Sequence, residues 1–160
     1  MINETKIAFD RTLRMFEDGI QKIPDAHWRR GVGDFLIPVR IAYHIMIGLE
    51  WFVTALPEEE HRRMRRYNLD REGPVDDMPD RQVLLDDLAW MKGRIARWFA
   101  DWERESEGEA RTFRQGQALY FVRHTQHHVG EFAAVARLLD LEGPAWIYPE
   151  TVPDSIKDKA

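Results

Sequence analysis

The stretch Leu84-Leu85-Asp86-Asp87-Leu88-Ala89-Trp90-Met91-Lys92-Gly93-Arg94-Ile95-Ala96-Arg97-Trp98-Phe99-Ala100-Asp101-Trp102 decides the fold class. Leu84, Leu88, Met91, Ile95, Trp98 and Trp102 alternate steps of four and three, which lines them up along one face of a helix. Asp80 stands where a cap is wanted, and Gly108 follows the end. Towards the N-terminus, Phe9, Leu13, Phe16, Ile20 and Ile23 repeat the pattern, with Asn3 as a cap and Gly19 and Pro24 marking the end. Between these two, Pro38 is tolerated in a first turn and opens a helix running to Leu56, ahead of Pro57. Its inner stripe is Ile41, Ile45, Leu49, Phe52 and Leu56, with His44 beside Ile41 and Ile45. A last helix runs from about Phe113 to Asp140 and stops before Gly143-Pro144. No segment alternates as a strand does.

Four amphipathic helices, each burying one stripe, predict an all-α four-helix bundle forming a single domain over residues 1–160. Short links make helices one and two, and three and four, antiparallel neighbours. The link from Pro57 to Asp80 is long enough to cross the bundle, so helices two and three are free to run parallel. The apolar segment Gly143-Pro144-Ala145-Trp146-Ile147-Tyr148-Pro149 is expected to fold back over the bundle.

Composition narrows the function. With 32% charged residues in 160, the chain is not a membrane protein, and its most apolar run, Ile37 to Leu56, is broken by Arg40, His44 and Glu50. Net charge −5 counts against general nucleic-acid binding and leaves room only for a local basic patch. The absence of cysteine excludes disulfides, thiolate metal sites and a cysteine nucleophile. The opening Met1-Ile2-Asn3-Glu4-Thr5-Lys6 has no basic leader before an apolar run, so a cytoplasmic protein is expected.

Chemistry concentrates in His124-Thr125-Gln126-His127-His128. His124 and His128 are one helical turn apart, about 40° around the axis, so their rings can converge. That spacing suits zinc, nickel, copper or iron. Phe121, Phe132, Val135 and Leu139 lie within about 40° of His128, so the pair faces the core, whereas His127 falls roughly 100° away. Buried imidazoles need partners. His44, near the inner stripe of helix two, is a third candidate ligand, and three imidazoles with water in an open position form a common catalytic zinc arrangement. The plainer alternative is that each histidine donates to a backbone carbonyl or borders the surface. Glu131, three residues after His128, is a candidate general base or further ligand, or else a helix-surface partner of Arg123, Arg137 or His127.

Other features point less sharply. His61-Arg62-Arg63-Met64-Arg65-Arg66 is basic, but Glu58-Glu59-Glu60 precedes it and nearly balances the charge. Trp51, Trp90, Trp98 and Trp102 read as core and interface residues or as the lining of a pocket. Gly31-Val32-Gly33 lacks dinucleotide-loop spacing and reads as a turn.

Taken together, an isolated histidine in helix two, a long connection, and His124-x-x-x-His128-x-Gly130-Glu131 in helix four resemble the DinB/YfiT-like family over nearly the whole chain. The resemblance implies an up-down-down-up bundle with a long crossover between helices two and three. It implies a divalent metal (zinc, nickel or iron) on His44, His124 and His128, and frequent homodimers. The family motif often continues His-Arg-Gly-Gln where this chain has His128-Val129-Gly130-Glu131, so the residue after the glycine carries no family role across. Relatives include S-transferases and isomerases using a low-molecular-weight thiol such as bacillithiol or mycothiol, metal-dependent hydrolases, and damage-inducible proteins. Three readings follow: a metal-dependent transferase or hydrolase acting on a small-molecule substrate; a non-catalytic metal-binding stress protein; and a nucleic-acid module acting through Arg62, Arg63, Arg65 and Arg66, against which the acidic net charge counts.

Overall fold

A computed structural model describes residues 2–33, 36–54, 59 and 73–148. Among them the structure is all-helical, with five α-helices: α1 (Ile2–Lys22), α2 (Asp25–Trp28), α3 (Pro38–Thr54), α4 (Arg81–Arg104) and α5 (Glu109–Leu138). A 3-10 turn, Val75–Asp77, precedes α4, and Val32 and Leu36 form one isolated β-bridge in the turn ahead of α3. No described helix is long and apolar enough to cross a membrane.

The predicted stripes form the core. Phe9, Leu13, Phe16, Ile20 and Ile23 of the first, and Leu84, Leu88, Met91, Ile95, Trp98 and Trp102 of the other, are all buried. Ile41, Ile45, Leu49 and Phe52 of α3 are fully enclosed, while Leu56 lies outside the described residues. Of the four tryptophans weighed, Trp98 and Trp102 are buried, Trp51 is half-buried, and Trp90 stands 47% exposed on the outer face of α4.

Two local expectations are corrected. Asn3 lies inside α1, which already begins at Ile2, so it is not the cap. Gly19 does not end α1 either. The helix runs on to Lys22, and Gly19 is buried where Phe132 and Pro144 approach; a β-carbon there would sit 3.2 Å from the Pro144 ring. Asp80 does occupy the cap position of α4, with its carboxylate 3.1 Å from the Arg29 guanidinium.

The pairing of helices also differs from expectation. The closest packing joins α1 to α5 and α4, and α3 to α5 and α4, so the pairs connected by short links are not the closest neighbours. Even the four residues between α4 and α5 reach roughly 13 Å when extended, enough to step past an adjacent helix. Ends meet in a consistent pattern. Phe9 near the start of α1 stacks on Phe52 near the end of α3 (5.1 Å), and Lys22 at the end of α1 bonds Glu142 beyond α5 (2.7 Å). At the start of α4, Arg81 donates to the Ile23 carbonyl (2.9 Å), and Arg40 in the first turn of α3 donates to the Gly73 carbonyl (3.1 Å).

The segment after α5 folds back through Ala145, and Ile147 packs on the core, but Trp146 and Tyr148 stand exposed, so the apolar run is covered only in part. Lys22 bonds Glu142 and the Gly143 carbonyl, and the Ala145 N–H donates to Asp18 (2.6 Å). Hydrogen bonds to Glu142 and then Asp18 raise the Lys22 pKa above its ordinary 10.5. A raised cationic pKa means the clasp is at full strength below 10.5 and is lost as pH climbs through the higher folded value. Lys22→Met is therefore expected to reduce protection of the Ala145 amide at neutral pH. Raised from neutral pH, the parent should lose this clasp only above pH 10.5.

Candidate metal centre

Two helices bring the three predicted histidines together. His44 comes from the first half of α3; His124 and His128 come from consecutive turns of α5. Their ligand nitrogens all lie within 4.8 Å of one another. The rings form a near-equilateral triangle, with centroids 5.0 Å (His44–His124), 4.7 Å (His44–His128) and 4.6 Å (His124–His128) apart. They are inclined at 49°, 79° and 72°, so they converge edge-on rather than stacking. His128 is buried, and the other two are partly exposed, which leaves the cluster with a buried floor and an open side.

The donor set fits a divalent ion. His124 Nε2 and His44 Nε2 are 3.1 Å apart. Two nitrogens ~2.0–2.1 Å from one tetrahedral ion stand roughly 3.3 Å apart, so little movement is needed. The same 3.1 Å also suits an N–H···N hydrogen bond, but such a bond gives no reason for a third imidazole to join the pair.

Support comes from behind. Glu131 Oε2 lies 2.6 Å from His128 Nδ1. A carboxylate only accepts, so Nδ1 carries the proton and Nε2 keeps its lone pair for the cluster. The other Glu131 oxygen is 3.7 Å from His127 Nε2, and His127 itself points to solvent. Of the surface partners weighed for Glu131, His127 is thus found beside it, with the bond to His128 much shorter; no described ion pair joins it to Arg123 or Arg137. Nothing in the spacing alone distinguished a carboxylate behind a ligand from one beside the substrate.

Packing sets the ring positions. Tyr120 stacks on His124 (5.7 Å, 25°), and Phe121 flanks it. Gly48, one turn beyond His44 on α3, supplies the room: a β-carbon there would sit 3.1 Å from the Phe121 ring and 3.4 Å from the His124 ring. Glycine inside a helix ordinarily costs about 0.5–1 kcal/mol relative to alanine. Gly48→Ala is expected to gain less than that in unfolding free energy while shifting the His124 ring resonances in NMR, because Phe121 would have to shift against Phe52 and Trp51.

The Arg62–Arg66 cluster and His61 lie outside the described residues. His127, His128 and Glu131, weighed singly or in pairs in the sequence, also bring their ligand atoms close together as a group. Its signal was the i, i+3 and i, i+4 spacing of Glu131 from the two histidines. Compared with protein-family models, with curated proteins and with solved structures, the chain matches none.

Proposed function

We propose that the chain is a metal-dependent enzyme of the DinB/YfiT-like kind, an up-down-down-up bundle in which His44, His124 and His128 hold one divalent ion. The observation that carries this reading is the convergence of three imidazoles from two helices. Three is the protein-ligand count of an open, catalytic site, whereas structural zinc sites close with four. The end-to-end contacts of α1 with α3 and of the start of α4 with the end of α1 support the bundle topology.

When bound, the ion supplies a Lewis acid that lowers the pKa of a water or thiol brought to it. The protein's own work is positional. His44 and His124 form the exposed side of the site, and His128 anchors its floor. Glu131 holds the His128 tautomer and orientation through Nδ1, which makes it a positioning residue rather than the general base. The cysteine-free chain brings no thiol of its own, which fits a thiol supplied by a low-molecular-weight cosubstrate and equally fits hydrolysis without one. Transfer of such a thiol and hydrolysis are the two chemistries this site supports, each on a small molecule.

The test is turnover by metal-loaded protein against a panel of small electrophiles and esters, with and without bacillithiol or mycothiol. Turnover that needs the thiol assigns a transferase; turnover with water alone assigns a hydrolase. No turnover in either, with metal bound and the site open, would remove the enzyme reading. For Glu131, removal by Glu131→Ala is expected to weaken metal binding about 10–100-fold, with Glu131→Gln restoring part of it. Equal affinity in all three proteins, measured by competition with a chelator, would show that the carboxylate does not tune the site.

A further inference from the structure

A second recess lies well away from the histidines. It opens beside the last turn of α3, between α4 and α5, as a cleft of about 420 Å³. At ~1.5 Å rise per residue, Thr54 on its wall stands roughly 15 Å along α3 from His44. Three guanidinium groups, from Arg94, Arg97 and Arg114, share this cleft with one carboxylate, from Asp101. That grouping is unexpected in a chain whose net charge is −5.

The charges are unequally matched. Arg114 is bonded to Glu105 (2.7 Å), and Asp101 lies 3.5 Å from Arg104. Among the described residues, Arg94 and Arg97 have no carboxylate partner, although they are three apart on α4 and project to the same side. Two neighbouring guanidinium groups repel each other, and an oxyanion between them removes the repulsion while accepting paired N–H bonds. Beside them lie two indoles. The Arg94 guanidinium is 5.0 Å from the Trp90 ring centre, and that of Arg114 is 5.1 Å from Trp98. Trp90 is 47% exposed and lines the basic cleft.

We propose that this cleft is a binding site for a small oxyanion carried on a flat ring, a phosphate or carboxylate held by Arg94 and Arg97 with its ring against Trp90. The volume is within the range of small-molecule sites. The arginines take the anion, and the indole adds affinity and selectivity for a planar group.

The test is titration of the metal-free protein with phenyl phosphate, benzoate, inorganic phosphate and phenol, followed by tryptophan fluorescence and calorimetry. Saturable binding of phenyl phosphate or benzoate is expected, the tighter of the two naming the oxyanion, with weaker binding of inorganic phosphate and none of phenol. Arg94→Gln/Arg97→Gln should lower the affinity about tenfold or more, while leaving the melting temperature near that of the parent. Trp90→Ala should weaken the aryl ligands but not inorganic phosphate. His124→Ala should change nothing, which separates this site from the histidine cluster. No saturable binding of either aryl anion, or unchanged affinity in the double arginine variant, would overturn the proposal.

Discussion

His124→Ala is expected to release the metal from protein that still folds. His124 contributes one of three imidazoles, and its Nε2 faces His44 Nε2 at 3.1 Å. Loss of a supporting hydrogen bond to a ligand weakens metal binding about 10–100-fold, and loss of the ligand itself should exceed that. His128→Ala should act at least as strongly, since it also leaves the Glu131 carboxylate without its 2.6 Å partner. The measurement is metal content by mass spectrometry on tag-free protein, set beside the parent at near one ion per chain, with circular dichroism to show that the helices persist. A parent that takes up no zinc, nickel, iron or manganese would reduce the cluster to three hydrogen-bonded core histidines. An unaltered metal content in His124→Ala would place the ion elsewhere.

The second large effect is on stability. Phe52 is fully buried and touches an aromatic ring from each of the other three long helices: Phe9 of α1 (5.1 Å), Trp98 of α4 (4.2 Å) and Phe121 of α5 (4.8 Å). Truncating a buried phenylalanine to alanine costs about 3–5 kcal/mol, because the cavity adds to the lost transfer energy. For a chain of this size, that corresponds to a fall in melting temperature on the order of 10 °C. Phe52→Leu keeps most of the volume and should cost less than half as much. A loss below about 1 kcal/mol in Phe52→Ala, read from denaturant unfolding, would show that the neighbouring rings close the gap.

Much of this arrangement was legible in the residues. Stripes such as Phe9-Leu13-Phe16-Ile20 and Leu84-Leu88-Met91-Ile95 are buried because a helix must hide one face, and the period names that face. The same geometry put His128 on the inner side of α5 and His127 on the outer, and the structure bears out both. Periodicity is silent on elements shorter than two turns, which is why α2 and the turn at Val75–Asp77 went unseen. It is equally silent where a helix begins without an apolar stripe: α5 starts at Glu109, ahead of the Phe113 that the pattern suggested. Gly19 misled because glycine ends helices by its backbone freedom yet also sits inside them where another chain must come close. Neighbour relations among the helices depend on which stripes face each other across space, and linker length bounds that choice without making it. The convergence of His44 on the α5 pair was only inferable; its 3.1 Å approach required the packing of α3 on α5.

The separation of His44 from His124 along the chain is 80 residues. An ion shared between them would act as a reversible cross-link, in a sequence with no cysteine to form a permanent one. Because the unfolded chain does not preform the site, binding weights the folded ensemble by mass action, contributing roughly 2.7 kcal/mol when free metal stands at 100 times its Kd. Thermal stability would then be a gauge of metal supply. Chelation would lower the energy of local opening around the three histidines first, before that of the core as a whole.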